Sequence, residues 1–117
     1  MNSLKLQKIP FSKDADNKLR ALKSRTGITP NILCRIGFCM SLERSNYPLH
    51  VEIQEKGREI NRHTLLGDYE SIAVSLLKVW MDMNSAPMEE LDDLFVSHMN
   101  RGVVSVFQKV KSLSDMV

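Results

Sequence analysis

Two cysteines, three histidines and five scattered glycines in 117 residues leave little room for several kinds of chemistry. Cys34 and Cys39 stand five residues apart, which on a helix turns them about 140° from each other, too far round for a local bridge. They read as small buried apolar side chains in a reducing compartment. His50, His63 and His98 never fall at ligand spacing with a cysteine, a carboxylate or one another, so no metal site is expected. His98 lies on an apolar helix face and reads as a packed residue. The glycines form no phosphate-cradling loop, and neither a nucleophile elbow nor a Cys–His pair occurs. No catalytic residue and no cofactor are expected, and the chain reads as a non-enzyme. No window approaches 18 uninterrupted apolar residues, which argues against a membrane span. The opening stretch, Met1 to Lys8, lacks the apolar run of a signal peptide, so the expected compartment is the cytoplasm. Internal repeats and low-complexity tracts are also missing.

What remains is a chain able to fold and strongly uneven in charge. The 43% apolar content can build a core, and the 26% charged content is that of a soluble single domain spanning 1–117. Residues 1–44 hold nine Lys/Arg against three acids, a net of +6. Residues 45–117 hold seven against eleven, a net of −4, and the total of +2 hides the split. A basic half attracts phosphates, and nucleic acid is the commonest polyphosphate partner.

Periodicity gives mainly helix. Residues 4–9 alternate loosely and read as a short strand or arm closed by Pro10. Ser12 is a suitable N-cap for a helix over 13–26, with Asp14 in its first turn and Gly27 at its end. Ala15, Leu19, Leu22 and Thr26 form its apolar stripe. Thr29-Pro30 starts a second helix, 30–42, apolar almost all round, which must be central or pack between subunits. Leu49, Val51 and Ile53 alternate with polar residues, a strand by that period with a short helix as the other reading. A second short strand is expected around Arg58–Asn61, making a hairpin near 49–62. Leu65 through Met83 give a helix over 64–83, capped by Thr64. Asn84 to Pro87 stop it and start another, in which Gly102 either ends the helix or dents it. Glu89, Glu90, Asp92 and Asp93 suit that helix's first turns. The expected class is a small, mainly α, oligomeric domain with minor β elements and a ribbon-helix-helix-like N-terminal half.

Three constellations bear on function. Strand, helix, Gly-x-Thr turn and helix over 4–42 is the layout of ribbon-helix-helix proteins, in which Lys5 and Gln7 would share a face and read base edges. In the helix 13–26, Lys18 and Arg25 lie on one flank of the apolar stripe, Lys13 and Arg20 on the other, and Lys23 near its edge. With Lys5 and Lys8 these can follow a phosphate backbone, and no aromatic residue interleaves with them, which favours a duplex over a single strand. Lastly, Asn61, Arg62 and His63 gather donors just before a helix start, which adds Arg62 to the candidate DNA contacts.

The stretches Thr26-Gly27-Ile28-Thr29-Pro30-Asn31-Ile32-Leu33-Cys34-Arg35 and Gly57-Arg58-Glu59-Ile60-Asn61-Arg62-His63-Thr64-Leu65-Leu66-Gly67-Asp68-Tyr69 resemble the DndE family of DNA sulfur-modification proteins. The resemblance covers nearly the whole chain, and the second stretch is the more specific. It implies a component of bacterial DNA phosphorothioation, in which partner Dnd proteins replace a non-bridging phosphate oxygen by sulfur. By the same resemblance the chain is a non-catalytic DNA-binding homotetramer favouring nicked duplex DNA. The competing readings are a sequence-specific ribbon-helix-helix repressor or antitoxin, and a scaffold subunit that binds only protein.

Overall fold

The computed structural model describes residues 3–50 and 56–115. Among these, two strands and five helices follow in the order β1 (Lys8–Ser12), α1 (Lys13–Thr26), α2 (Pro30–Leu42), β2 (Lys56–Asn61), α3 (Arg62–Leu66), α4 (Glu70–Met83) and α5 (Leu91–Asp115). Single 3-10 turns at Gly67–Tyr69 and Met88–Glu90 precede α4 and α5. The class is mainly helical with a small sheet, as the sequence indicates. The first strand lies at 8–12 rather than 4–9, and its antiparallel partner is β2 of the same chain, with Lys8 opposite Asn61 and Ser12 opposite Lys56. Of the hairpin expected near 49–62 only the second strand is described, because residues 51–55 lie outside the described residues.

Alternation explains β1: Ile9 and Phe11 point inward and are buried, while Lys8 faces solvent. Pro10 has no N–H to give a ladder, and the register is irregular between Pro10 and Ser12. Asn100 of α5 takes up the loose groups there. It accepts from the Ser12 N–H at 2.9 Å and donates to the Pro10 carbonyl at 3.1 Å. The strand therefore ends fixed on α5, and α1 starts at once: the Ser12 hydroxyl accepts from the Ala15 N–H at 3.1 Å. Gly27 closes α1 at φ 73°, its N–H bonded to the Lys23 carbonyl at 2.9 Å.

Helix α5 is the axis of the core. Phe95, Met99 and Val103 meet Leu19, Leu22, Leu33 and Phe38 in one buried cluster. Where α2 crosses α5, two glycines touch: a Cβ on Gly102 would lie 2.2 Å from the Gly37 carbonyl carbon, and one on Gly37 would lie 2.5 Å from the Gly102 backbone. Gly102 thus neither ends nor dents α5, which runs on to Asp115; it lets the two backbones meet.

Three expectations need correction. The helix expected over 64–83 is broken at Gly67, which has φ 53° and opens a 3-10 turn. Asn61, not Thr64, caps α3, accepting from the His63 N–H at 2.8 Å. At the other end of α3, Arg35 Nε donates to the Leu65 carbonyl at 2.7 Å, satisfying an acceptor freed by the break. Cys39, taken with Cys34 as buried, is exposed. Cys34 is buried, and burial pushes its thiol up to about 12.

Candidate nucleic-acid interface

Helix α1 carries most of the candidate cations, and its neighbours make its two flanks unequal. Lys13, Asp16, Arg20 and Lys23 follow at steps of three, four and three residues, so they form one face. Lys13, Arg20 and Lys23 are exposed on it. Asp16, in their midst, is buried beneath them.

The buried carboxylate is saturated. Its Oδ1 accepts from Arg58 Nε at 2.7 Å and Arg20 Nε at 3.2 Å. Its Oδ2 accepts from the Arg58 backbone N–H at 3.0 Å and Arg20 Nη2 at 3.5 Å. Burial pushes the Asp16 carboxyl up, but the hydrogen bonds from Arg58 and then Arg20 outweigh it and hold the group below its ordinary value. Gly57 allows this approach, since a Cβ there would lie 2.5 Å from Asp16 Cβ and 2.8 Å from the Ser12 carbonyl oxygen. The pairing of β2 with β1 therefore brings a guanidinium from 42 residues away to the basic face.

The opposite flank lies against α5, with Lys18 half-buried and Arg25 exposed. Lys18 Nζ lies 2.6 Å from Asp14 Oδ1, and the Lys18 side chain is only 25% exposed. Both Lys18 and Arg25 stand over the ring of Phe107 on α5, at 5.5 and 5.6 Å from its centre. Their stems cover apolar surface, and Lys18 is neutralised by an acid one turn before it.

The other candidates separate as well. Lys8 is exposed at the start of β1. Lys5 is exposed before the strand, its backbone N–H held by Asp92 Oδ1 at 3.1 Å, which sets an acid beside it. Arg62 is turned inward, its side chain 13% exposed. Its Nη1 donates to the Leu4 and Leu6 carbonyls at 2.8 and 2.9 Å, and its backbone N–H to Gln7 at 2.9 Å. Its Nε lies 3.1 Å from Glu70 Oε1 without the alignment of a hydrogen bond. Arg62 thus ties residues 4–7, where Lys5 and Gln7 sit, to the body of the molecule.

Sequence reasoning missed a second polar cluster. Ser41 of α2 and His98 of α5 are fully buried, with Ser41 Oγ 2.7 Å from His98 Nδ1. Arg101 Nε donates to the same hydroxyl at 2.7 Å. Nε2 has no hydrogen-bond partner among the described residues, and the ring meets Trp80 edge-on at 4.4 Å. Burial, and secondarily the Arg101 charge, push His98 down to about 4. A Ser–His contact suggests a nucleophile, but here both groups are sealed from substrate. Arg101 also bonds the Ser41 and Asn46 carbonyls at 2.8 Å each, closing the end of α2. Nothing local signals this cluster, because its members are 57 and 60 residues apart.

A third surface is apolar. Ile32 and Ile36 of α2 and Ile72 and Leu76 of α4, with Cys39 and Tyr69, line an open groove of about 650 Å³. Val79 and Met83 extend the exposed apolar face of α4. Among the described residues no three His, Cys, Asp or Glu gather to hold a metal ion, and no helix is long and apolar enough to cross a membrane.

No curated protein matches the chain. The fold is similar to the crystal structure of DndE from Escherichia coli B7A, involved in DNA phosphorothioation modification, with a TM-score of 0.66 and 24% identity over 89% of this chain and 99% of that one. It is also similar to the crystal structure of a DndE G21/24K mutant involved in DNA phosphorothioation, with a TM-score of 0.60 and 21% identity over 85% and 97% of the two chains. At such identities these structures speak for the fold. The family model described as DNA sulphur modification protein DndE matches residues 8–114, and the chain therefore belongs to the DndE family.

Proposed function

We propose that this chain is a non-catalytic, DNA-binding subunit of the DNA phosphorothioation system, which holds duplex backbone while partner Dnd proteins carry out the sulfur chemistry. The observation that carries this reading is the exposed row Lys13, Arg20 and Lys23 on one face of α1. Lys8 extends it from the strand, Lys5 stands beyond, and Lys18 and Arg25 add weaker contacts from the flank against α5. Arg62 contributes from inside, by fixing residues 4–7. A rigid cationic face gains from a nick, because a flexible joint lets both flanks reach it at lower bending cost. Preference for nicked duplex follows from that. The apolar groove between α2 and α4 is the surface through which copies of the chain assemble into a homotetramer.

The ribbon-helix-helix repressor reading has less support, since β1 is paired within its own chain and Lys5 and Gln7 lie outside the strand. Fluorescence anisotropy with labelled duplexes, nicked and intact, tests the DNA-binding reading. Lys13→Glu with Lys23→Glu is expected to weaken binding about 100-fold at low salt and to lower the salt slope by about two. Lys18→Gln with Arg25→Gln is expected to change affinity about threefold or less. Equal affinity for nicked and intact duplexes would remove the nick preference. Absence of binding at low salt would leave only the scaffold role.

A further inference from the structure

The sequence offers Arg20 as one cation in a row and gives Arg58 no part in it. The fold joins them. Both Nε atoms rest on the same oxygen of Asp16, at 3.2 and 2.7 Å, so the two guanidiniums lie within reach of a single phosphate group. We propose that Arg20 and Arg58 form a two-guanidinium seat for one backbone phosphate of DNA, with Asp16 as the residue that positions both. This rests on the reading of the α1 face as the DNA-binding surface, and deepens it by naming where on that face a phosphate is gripped.

Four observations support the seat. Arg58 spends its backbone N–H and its Nε on Asp16, and its two terminal nitrogens have no hydrogen-bond partner among the described residues. Arg20 spends Nε and, at 3.5 Å, one terminal nitrogen. A guanidinium has five N–H donors in a fixed fork, so most of the donor edge of each arginine is uncommitted. Exposure agrees: the carboxylate below is 8% exposed, while the arginine side chains above it are 29% and 66% exposed.

The charge balance also favours an anion. One carboxylate faces two guanidiniums, leaving the trio at +1, and Lys13 and Lys23 continue the same face one turn before and two turns after Asp16. Lys56, exposed at the start of β2 opposite Ser12, adds a cation at the open end of the ribbon. Finally, the approach of β2 to α1 needs a residue without a side chain at 57, and a glycine stands there. An ion pair meant only to hold β2 on α1 could use the Arg58 backbone N–H and a neutral side chain. Two charged forks pinned at their necks are preorganised for a second, external anion.

The test is anisotropy of the full chain with a labelled nicked duplex of about 20 base pairs, titrated at several salt concentrations. Arg58→Gln and Arg20→Gln should each weaken binding about tenfold and lower the salt slope by about one, with thermal unfolding followed in parallel. Arg58→Lys should not rescue binding, because an ammonium cannot bond Asp16 from its neck and a phosphate from its far edge at once. Asp16→Asn should weaken binding even though it adds a positive charge to the face. Three results would overturn the seat while leaving the basic-face reading intact. These are an Arg58→Gln protein that is less stable but binds with unchanged affinity and slope, full rescue by Arg58→Lys, or tighter binding by Asp16→Asn. If Asp16→Asn fails to fold, the two Arg58 variants decide the matter. Failure of the unaltered chain to bind at low salt would instead overturn the basic-face reading, and the seat with it.

Discussion

Helices α1 and α4 have the same length, 14 residues, and each buries one stripe while leaving the rest in solvent. Their outer faces are opposite in kind. Helix α1 presents Lys13, Arg20 and Lys23, whereas α4 presents Ile72, Leu76, Val79 and Met83. The charged groups on α1 are solvated as they stand. Four large apolar side chains in a row on α4, continued by Ile32 and Ile36, form a contiguous patch of the sort that marks an interface. The two helices also hang on the body differently. Helix α1 packs on α5 through Leu19 and Leu22 and is braced to β2 by Asp16. Helix α4 reaches α5 through Trp80 on the neutral ring of His98, and the segment just after α2 where the Trp80 Nε1–H donates to the Arg44 carbonyl at 2.7 Å. One molecule thus separates a cationic face from an apolar face, and supports the first with the Asp16 ion pairs and the second with the buried cluster of Ser41, neutral His98 and Arg101.

Both faces depend on the crossing of α2 with α5, so the largest expected effect comes from there. Gly102→Val puts a branched side chain where even a Cβ would meet backbone at 2.2 Å. Neither helix can retreat without opening the core around Phe38 and Phe95, whose rings lie 5.1 Å apart. The variant should lose about 3 kcal/mol or more, read as loss of a cooperative thermal transition by circular dichroism. A normally folded Gly102→Val protein would mean that the two faces do not share one frame.

Acid should separate the two faces. His98 is held at about 4 in the fold against an unfolded value near 6.5, so it contributes stability only while neutral. As pH falls through 6.5 toward 4 the unfolded chain takes up a proton that the folded chain resists, and about 3 kcal/mol of stability is lost across that window. Asp16 is shifted below its ordinary 3.8, so its contribution is present above that value and lost only at lower pH. The fluorescence of the single tryptophan, Trp80, should therefore report loosening of α4 between pH 6.5 and 4, while the brace of α1 to β2 persists. His98→Gln should flatten the pH dependence of Tm in that window. An unchanged slope would place the acid sensitivity elsewhere.

What the sequence revealed and what it hid follow the same division. The bounds of α1 and α2 were legible because caps and stripes are local: Ser12, Gly27 and Thr29-Pro30 stand within a few residues of what they fix. The break at Gly67 was hidden, since Leu65 to Met83 keep helical period across it and only the positive φ of one glycine ends the helix. Hidden too was every long-range partner. Arg58 on Asp16, Arg62 turned in on Leu4 and Leu6, and Ser41 under His98 join residues 42 to 58 positions apart, and no periodicity encodes such pairs. The α1 cations were all visible in the sequence. That one flank is open and the other lies on Phe107 depends on α5, more than 80 residues later in the chain.

The apolar half of the comparison is sharpened by a substitution that leaves the fold alone. Ile72 is 58% exposed, so an aspartate there stays solvated in an isolated chain and should change its stability by about 0.5 kcal/mol or less. Buried against a second copy, the same carboxylate would be unpaired in an apolar groove, which costs several kcal/mol per interface. Ile72→Asp should therefore lower the mass measured by light scattering without loss of helicity. Duplex binding then says how far the two faces cooperate. If each copy contributes its own α1 row to one length of DNA, loss of assembly should weaken binding through lost multivalency while each copy's intrinsic contacts remain. If affinity per copy is unchanged, each α1 face acts by itself. An assembly of unchanged mass would show that the α4 face is covered by something other than a second copy, and would leave the basic face as the only part of the comparison with an assigned partner.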